Sequence, residues 1–281
     1  MNPKIIKLLL GAILFTLNVS AKTFRLTSTS SAKPFSLQIN CTPEGKAAFV
    51  QYQGQQSFMP LRLKKFTKSV LTNSNQQPES YHYQWDELLN GQINGTYAIT
   101  EHAGRITEAS YVRNSDGKRF NLVAASKNAT LDQRQQYLLH GVLITFTWTS
   151  IDDQFKFSYP DGKIITPRYL SLDAPDQERT CYIKDYNFDG YDDLAFSLPD
   201  AGMGVYHTFN IWLYNPGTKR FEPLKEPTDA RAKCSGLCDV TLNPRQKLIY
   251  TACRGGARWW QEVYRMGKNN ELVWLRSEEK K

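Results

Sequence analysis

Asp185-Tyr186-Asn187-Phe188-Asp189-Gly190-Tyr191-Asp192-Asp193-Leu194 places oxygen-bearing side chains at every second position of a short run. Asp185, Asn187 and Asp189 can turn their oxygens toward one centre if the chain closes into a tight loop. Gly190 permits that closure because it has no Cβ to clash. The Tyr191 carbonyl supplies the next oxygen and Asp193 the one after, directly or through water, which leaves Asp192 facing solvent. This is the spacing of a calcium loop, and calcium takes six to eight oxygens in flexible geometry. A plain acidic surface turn is the alternative, but four carboxylates within nine residues repel one another unless a cation sits among them.

A helix–loop–helix calcium site carries a bidentate Glu at its twelfth position. Here that position is Phe196, and the flanking Ile183 and residues 194–196 are strand-like. The expectation is a strand–loop–strand site with one ligand fewer, binding at roughly 10⁻⁴ to 10⁻³ M as extracellular modules do. Calcium there is expected to be structural, since a catalytic metal keeps a coordination position open.

Other chemistry-bearing residues are less organised. Cys41, Cys181, Cys234, Cys238 and Cys253 are odd in number, and Cys234 and Cys238 have C-x3-C spacing with no histidine nearby to complete a zinc site. One or two disulfides with one thiol left over are expected, with the connectivity open. There is no H-E-x-x-H, G-x-S-x-G or P-loop, and Gly202-Met203-Gly204 is a lone G-x-G. His82, His102, His140 and His207 are scattered, and His207 shares an alternating face with Phe209 and Ile211, which suits packing. Asp152 and Asp153 match a glycosidase pair in type only. Nothing in the sequence asks for an enzyme.

The elements that must position the loop are strands. Ile93, Gly95, Tyr97 and Ile99 alternate with polar neighbours, as do Val142, Ile144, Phe146 and Trp148, and Phe209, Ile211 and Leu213. Asp116-Gly117 between residues 105–113 and 118–124 predicts a hairpin, and Pro160-Asp161-Gly162 predicts another. Asn215-Pro216-Gly217-Thr218 turns the chain into Phe221, and strands over 248–253, 259–266 and 272–276 close it. The best helical stretch, residues 131–139, is short, and the Ser/Thr-rich residues 22–40 suggest an irregular or edge segment. The reading is all-β, with antiparallel sheets in a sandwich or propeller-like arrangement and no repeat of fixed period. The polar stretch 171–179 suggests a boundary between domains 22–170 and 171–281.

The N-terminus reads as an address. Lys4 and Lys7 precede an apolar run from Leu8 to Phe15, and Val19-Ser20-Ala21 offers small residues for cleavage after Ala21. The run is shorter than the ~20 residues that span a bilayer. Removing residues 1–21, with two Lys and no acid, takes the 281-residue chain to 260 and the net charge from +8 to +6. An exported, periplasmic protein without a membrane span is expected, in a compartment that permits disulfides. With no Lys/Arg stripe, nucleic acid is a poor partner, and a moderately acidic protein or an anionic wall suits the charge better.

From Ile183 onward the chain resembles a broad family of exported bacterial β proteins with a single D-x-N-x-D-G loop, similar to FG-GAP/VCBS-like modules. The resemblance rests on the loop, on Gly202-Met203-Gly204-Val205-Tyr206, and on the aromatic strand Trp212-Leu213-Tyr214 with its turn to Phe221. It continues through Gly255-Gly256-Ala257-Arg258-Trp259-Trp260 and residues 268–276. It covers about a hundred residues; the preceding half matches only in the style of residues 93–123. The family includes periplasmic immunity proteins that inhibit lysozyme-like peptidoglycan hydrolases delivered by bacterial-killing secretion systems. The resemblance implies a calcium-binding inhibitor that blocks such an effector, with a cell-wall or glycan-binding module as the alternative. Arg254 or Arg258 would pair with the catalytic carboxylate, and Tyr206, Trp259 or Trp260 would anchor the contact. One of the two tryptophans is expected in the core and the other on the surface.

Overall fold

The computed structural model describes residues 21–29, 33–69, 79–125, 134–148, 153–167, 180–199, 206–255 and 258–280. Every regular element among them is a strand, and every pairing is antiparallel. None of their elements is a helix long and apolar enough to cross a membrane. The proposed leader, the 171–179 boundary and Gly202-Met203-Gly204 lie outside the described residues.

Eight strands pair in chain order and close into a barrel: β1 Lys22–Ser28, β2 Ser36–Cys41, β3 Ala48–Tyr52, β4 Met59–Ser69, β5 Ser80–Leu89, β6 Gln92–His102, β7 Arg105–Arg113 and β8 Arg119–Ala124. β1 and β2, which fill most of the stretch expected to be irregular or an edge, are regular strands inside the closed barrel. β1 pairs with β2 on one side and with β8 on the other, sealing the barrel. The Ser and Thr residues alternate with Phe24, Leu26, Leu37 and Ile39, and those apolar side chains fill the interior. Eight strands enclose a space that side chains can fill. Here Tyr83 stacks on Trp85 with centroids 5.1 Å apart, and Tyr97 on Tyr111 at 4.5 Å. Gly95 belongs to this packing, because a Cβ there would fall 2.3 Å from the Tyr111 ring.

Three four-stranded sheets follow. The first holds β9 Arg134–Leu139, β10 Val142–Trp148, β11 Asp153–Ser158 and β12 Ile164–Ile165. The stretch expected as a short helix thus contains a strand: Tyr137 and Leu139 pair with β10 and are buried, so tertiary packing overrides a weak helical pattern. The second sheet holds β13 Thr180–Lys184, β14 Asp193–Pro199, β15 His207–Asn215 and β16 Arg220–Pro223. The third holds β17 Thr241–Asn243, β18 Leu248–Gly255, β19 Arg258–Met266 and β20 Leu272–Lys280. Both hairpins expected at Asp116-Gly117 and Asp161-Gly162 are formed, the second with a short partner strand.

The second sheet is the middle layer. Leu194 and Phe196 face Phe146 and Phe155 of the first sheet, while Ala195, Phe209 and Ile211 face Ile249 and Tyr264 of the third. Burial on both faces explains why Asp193-Leu194-Ala195-Phe196-Ser197-Leu198 is buried without a break. The barrel joins this stack where Leu138 N donates to the Ala47 carbonyl at 2.8 Å.

One disulfide, Cys234–Cys253, ties the 233–239 loop to β18 with Cα atoms 5.6 Å apart. Cys41, Cys181 and Cys238 are buried thiols, so three remain rather than one. Cys41 lies in the barrel core and Cys181 in the core between the first two sheets, and this burial pushes both thiols well above the ordinary range. Thiol titration of the native protein should find Cys41 and Cys181 unreactive, and both should react in denaturant. Reducing the bridge should cost about 3 kcal/mol, measured by urea unfolding with and without reductant.

Candidate functional site

The 185–193 segment is a strand–loop–strand turn, with Lys184 directly opposite Asp193 where β13 and β14 open. Its carboxylates organise the backbone. Asp185 accepts N–H bonds from Asp189 (3.1 Å) and Gly190 (2.9 Å), one on each oxygen. Asn187 Oδ1 also accepts from Asp189 N at 3.1 Å, and Asp189 accepts from Tyr191 N at 2.9 Å. Two residues take positive φ, Phe188 at 62° and Gly190 at 94°. Open space surrounds Gly190 where a Cβ would stand, so glycine serves backbone conformation there, not packing.

Asp193 clasps the loop from beneath. It is fully buried, and its oxygens accept from Tyr186 N (2.8 Å), Asn187 N (3.3 Å) and Tyr214 N of β15 (2.7 Å). One carboxylate thereby ties the loop to the neighbouring strand. Burial pushes its carboxyl up to about 7, against the pull of the three backbone N–H groups.

Asp192 does not simply face solvent. Lys46, from the barrel, reaches both its oxygens at 2.8 and 3.0 Å. His140 Nε2 lies 2.6 Å from the Asp192 carbonyl, and the imidazole stacks on Tyr214 at 3.9 Å. His140 sits at φ 51° in the two-residue turn with Gly141 that joins β9 to β10, and this turn aims the ring at the loop. From the sequence, His140 is only one of four scattered histidines and Tyr214 only part of an aromatic strand, and Lys46 is not singled out. Lys46 and His140 lie 146 and 52 residues from Asp192, and no local spacing announces them.

Among the described residues, no three His, Cys, Asp or Glu side chains converge to hold a metal ion. The donor chemistry of the loop still fits a hard cation. Each Asp185 oxygen accepts one N–H, and a carboxylate oxygen has two acceptor positions. Asp185, Asn187, Asp189 and the Tyr191 carbonyl are the groups that would hold calcium, with water completing the shell. Asp193 spends three of its acceptor positions on backbone N–H groups.

Of the expected partner contacts, four lie on one hairpin. Arg254 is opposite Trp259, and Arg258 is opposite Gly255 at the β18–β19 tip, with Trp260 across from Cys253. Trp259 and Trp260 are both half-buried, so the core-and-surface division is not realised; β20 runs alongside both, with Lys280 opposite Trp259 and Glu279 opposite Trp260. Arg258 is 65% exposed and pairs with Glu279 at 3.6 Å. Tyr206 leads into β15, whose Thr208 bridges Cys238, and the Cys238 carbonyl accepts from Ala252 of β18. His207 is half-exposed beside Asp239 at 3.6 Å, not buried in packing.

Compared with protein-family models and with curated proteins, the chain matches none.

Proposed function

We propose that the chain is an exported, calcium-stapled β protein that acts by binding, blocking a lysozyme-like peptidoglycan hydrolase through its third sheet. The three four-stranded meanders form a propeller-like stack, and calcium in the 185–191 loop rigidifies its middle layer. The observation that supports this reading is the β18–β19 tip, where Arg254, Arg258 and Trp259 share one hairpin end with the Cys234–Cys253 bridge two residue pairs from its last pair. A guanidinium there could exchange its exposed pairing with Glu279, worth under ~1 kcal/mol, for the buried carboxylate of an enzyme's sugar cleft.

The test is a lysis assay with a peptidoglycan hydrolase encoded beside this gene, with and without calcium. Inhibition is expected, and its loss in Arg258→Glu would follow; no binding to any such hydrolase would sink the reading. For calcium, a melt at tenfold excess over Kd should gain about 1.4 kcal/mol of stability. Asp189→Ala should remove that response, and an Asp189→Ala protein with the wild-type calcium response would overturn the metal assignment.

A second reading, a glycan- or wall-binding module, is favoured by one groove. Arg25, Gln38 and Gln51 lie in register across β1, β2 and β3, and with Ser36, Gln53 and Gln55 they line a cavity of about 390 Å³. Amide side chains suit sugar hydroxyls. Sedimentation with purified cell wall, without effect on lytic enzymes, would favour it.

A further inference from the structure

The calcium-type loop has a second face. Asn187 and Phe188 form one wall of a cleft of about 520 Å³ whose other side is the turn between β17 and β18 and the end of β19. Its floor is apolar: Phe188 and Met266 are half-buried and pack on the core between the second and third sheets. Its rim is cationic, formed by Arg245, Lys247 and Arg265, all exposed. The rim is built, not loose. Asn243 and Gln246 hydrogen-bond each other across the turn through side chain and backbone at 3.0 and 3.2 Å. Lys247 reaches the Phe188 carbonyl at 3.4 Å, bridging the cleft to the loop.

Charge decides what fits. Arg62, Arg113, Arg220, Arg231, Arg258 and Arg276 all pair with carboxylates. Arg245 and Arg265 pair with none among the described residues, as is also true of Arg25, Arg105 and Arg119; what distinguishes these two is that they flank the same apolar floor. Two guanidiniums without carboxylates over an apolar trough match a ligand that alternates acidic and apolar groups. Phe188 adds a strained aromatic at positive φ in the wall, and such outliers gather at ligand clamps.

We propose that this cleft docks an acidic peptide segment of a protein partner, with carboxylates on Arg245 and Arg265 and an apolar side chain on Phe188 and Met266. The assignment rests on the binding role proposed above, and adds a second contact surface at the opposite end of β18 and β19 from the hairpin tip. The probe is a fluorescein-labelled peptide alternating glutamate and leucine, followed by anisotropy at low and high salt. Saturable, salt-sensitive binding is expected. Arg245→Glu with Arg265→Glu should weaken it at least tenfold while leaving the thermal melt unchanged, and Arg25→Glu on the barrel should not weaken it. A lysine–leucine peptide should not bind. A muramyl pentapeptide, the wall's own carboxylate source, is the competing ligand: its binding in place of the acidic peptide overturns the proposal, as does binding of neither. Acidic-peptide binding without inhibition of any hydrolase would overturn the proposed function alone. Hydrolase inhibition untouched by the paired charge reversal would overturn the cleft alone.

Discussion

Replacing Asp193 with alanine is expected to cost about 4 kcal/mol of folding stability and to lower the melting temperature by roughly 10 °C. The side chain is fully buried and makes no ion pair among the described residues; what it has is three backbone N–H donors, from Tyr186, Asn187 and Tyr214. Alanine would leave the Tyr186 and Tyr214 donors buried without acceptors, at about 1–3 kcal/mol each. The loss spreads because Tyr214 belongs to β15 and the other two to the loop, so the middle sheet would lose its tie to the 185–192 turn. Asparagine should lose about half as much. It keeps one acceptor oxygen but sets an N–H₂ group against a backbone donor. Urea unfolding of the three proteins checks the order. Equal stability of Asp193→Ala and wild type would show that water replaces the carboxylate and that the clasp is not structural.

The loop was legible in the sequence because it is local. Asp185, Asn187, Asp189 and Gly190 act on one another within six residues, and spacing alone carries that information. The strands around 93–99, 142–148 and 209–213 were legible for the same reason, since alternation is a two-residue signal. Closure of the barrel was not. It depends on β1 meeting β8, a pairing of residues nearly a hundred apart, and on Ser/Thr-rich strands whose apolar positions are few. The turns also hid. Ala103-Gly104 and His140-Gly141 make the same positive-φ pairs as Asn90-Gly91, yet Ala and His are poor signals for that geometry. The surroundings of Asp192 follow the same rule: the motif named the carboxylate, and only the fold supplied Lys46 and His140.

Replacing Glu87 with alanine is expected to destabilise the barrel by about 3–5 kcal/mol, and the reason lies in a network without a cation. Glu87 is fully buried on β5. Tyr52 and Tyr97 donate to one oxygen at 3.0 and 2.9 Å, and Tyr111 and Asn94 donate to the other at 2.9 and 2.6 Å. Removing the acceptor leaves the Tyr111 proton with no acceptor and leaves Tyr97 with only the Tyr52 hydroxyl, 2.6 Å away. Glutamine should be much milder, because a tyrosine hydroxyl can rotate to accept from the new amide. Gly95→Ala should mimic the loss from across the strand pair, since its Cβ would lie 2.4 Å from the Tyr111 hydroxyl and drive it off Glu87. Alkali provides an independent check. Burial first, and then the Glu87 charge, push the Tyr52 and Tyr111 hydroxyls far above their ordinary value near 10, and burial does the same to Tyr97. The folded state therefore holds these protons where the unfolded chain releases them. Their contribution is intact below about pH 10 and declines as pH rises beyond it. Tyrosine absorbance at 295 nm should show these groups ionising only together with unfolding. In Glu87→Ala, which has already lost the network, unfolding should begin at lower pH; reversible ionisation of every tyrosine in the folded wild type would mean the network is not sealed.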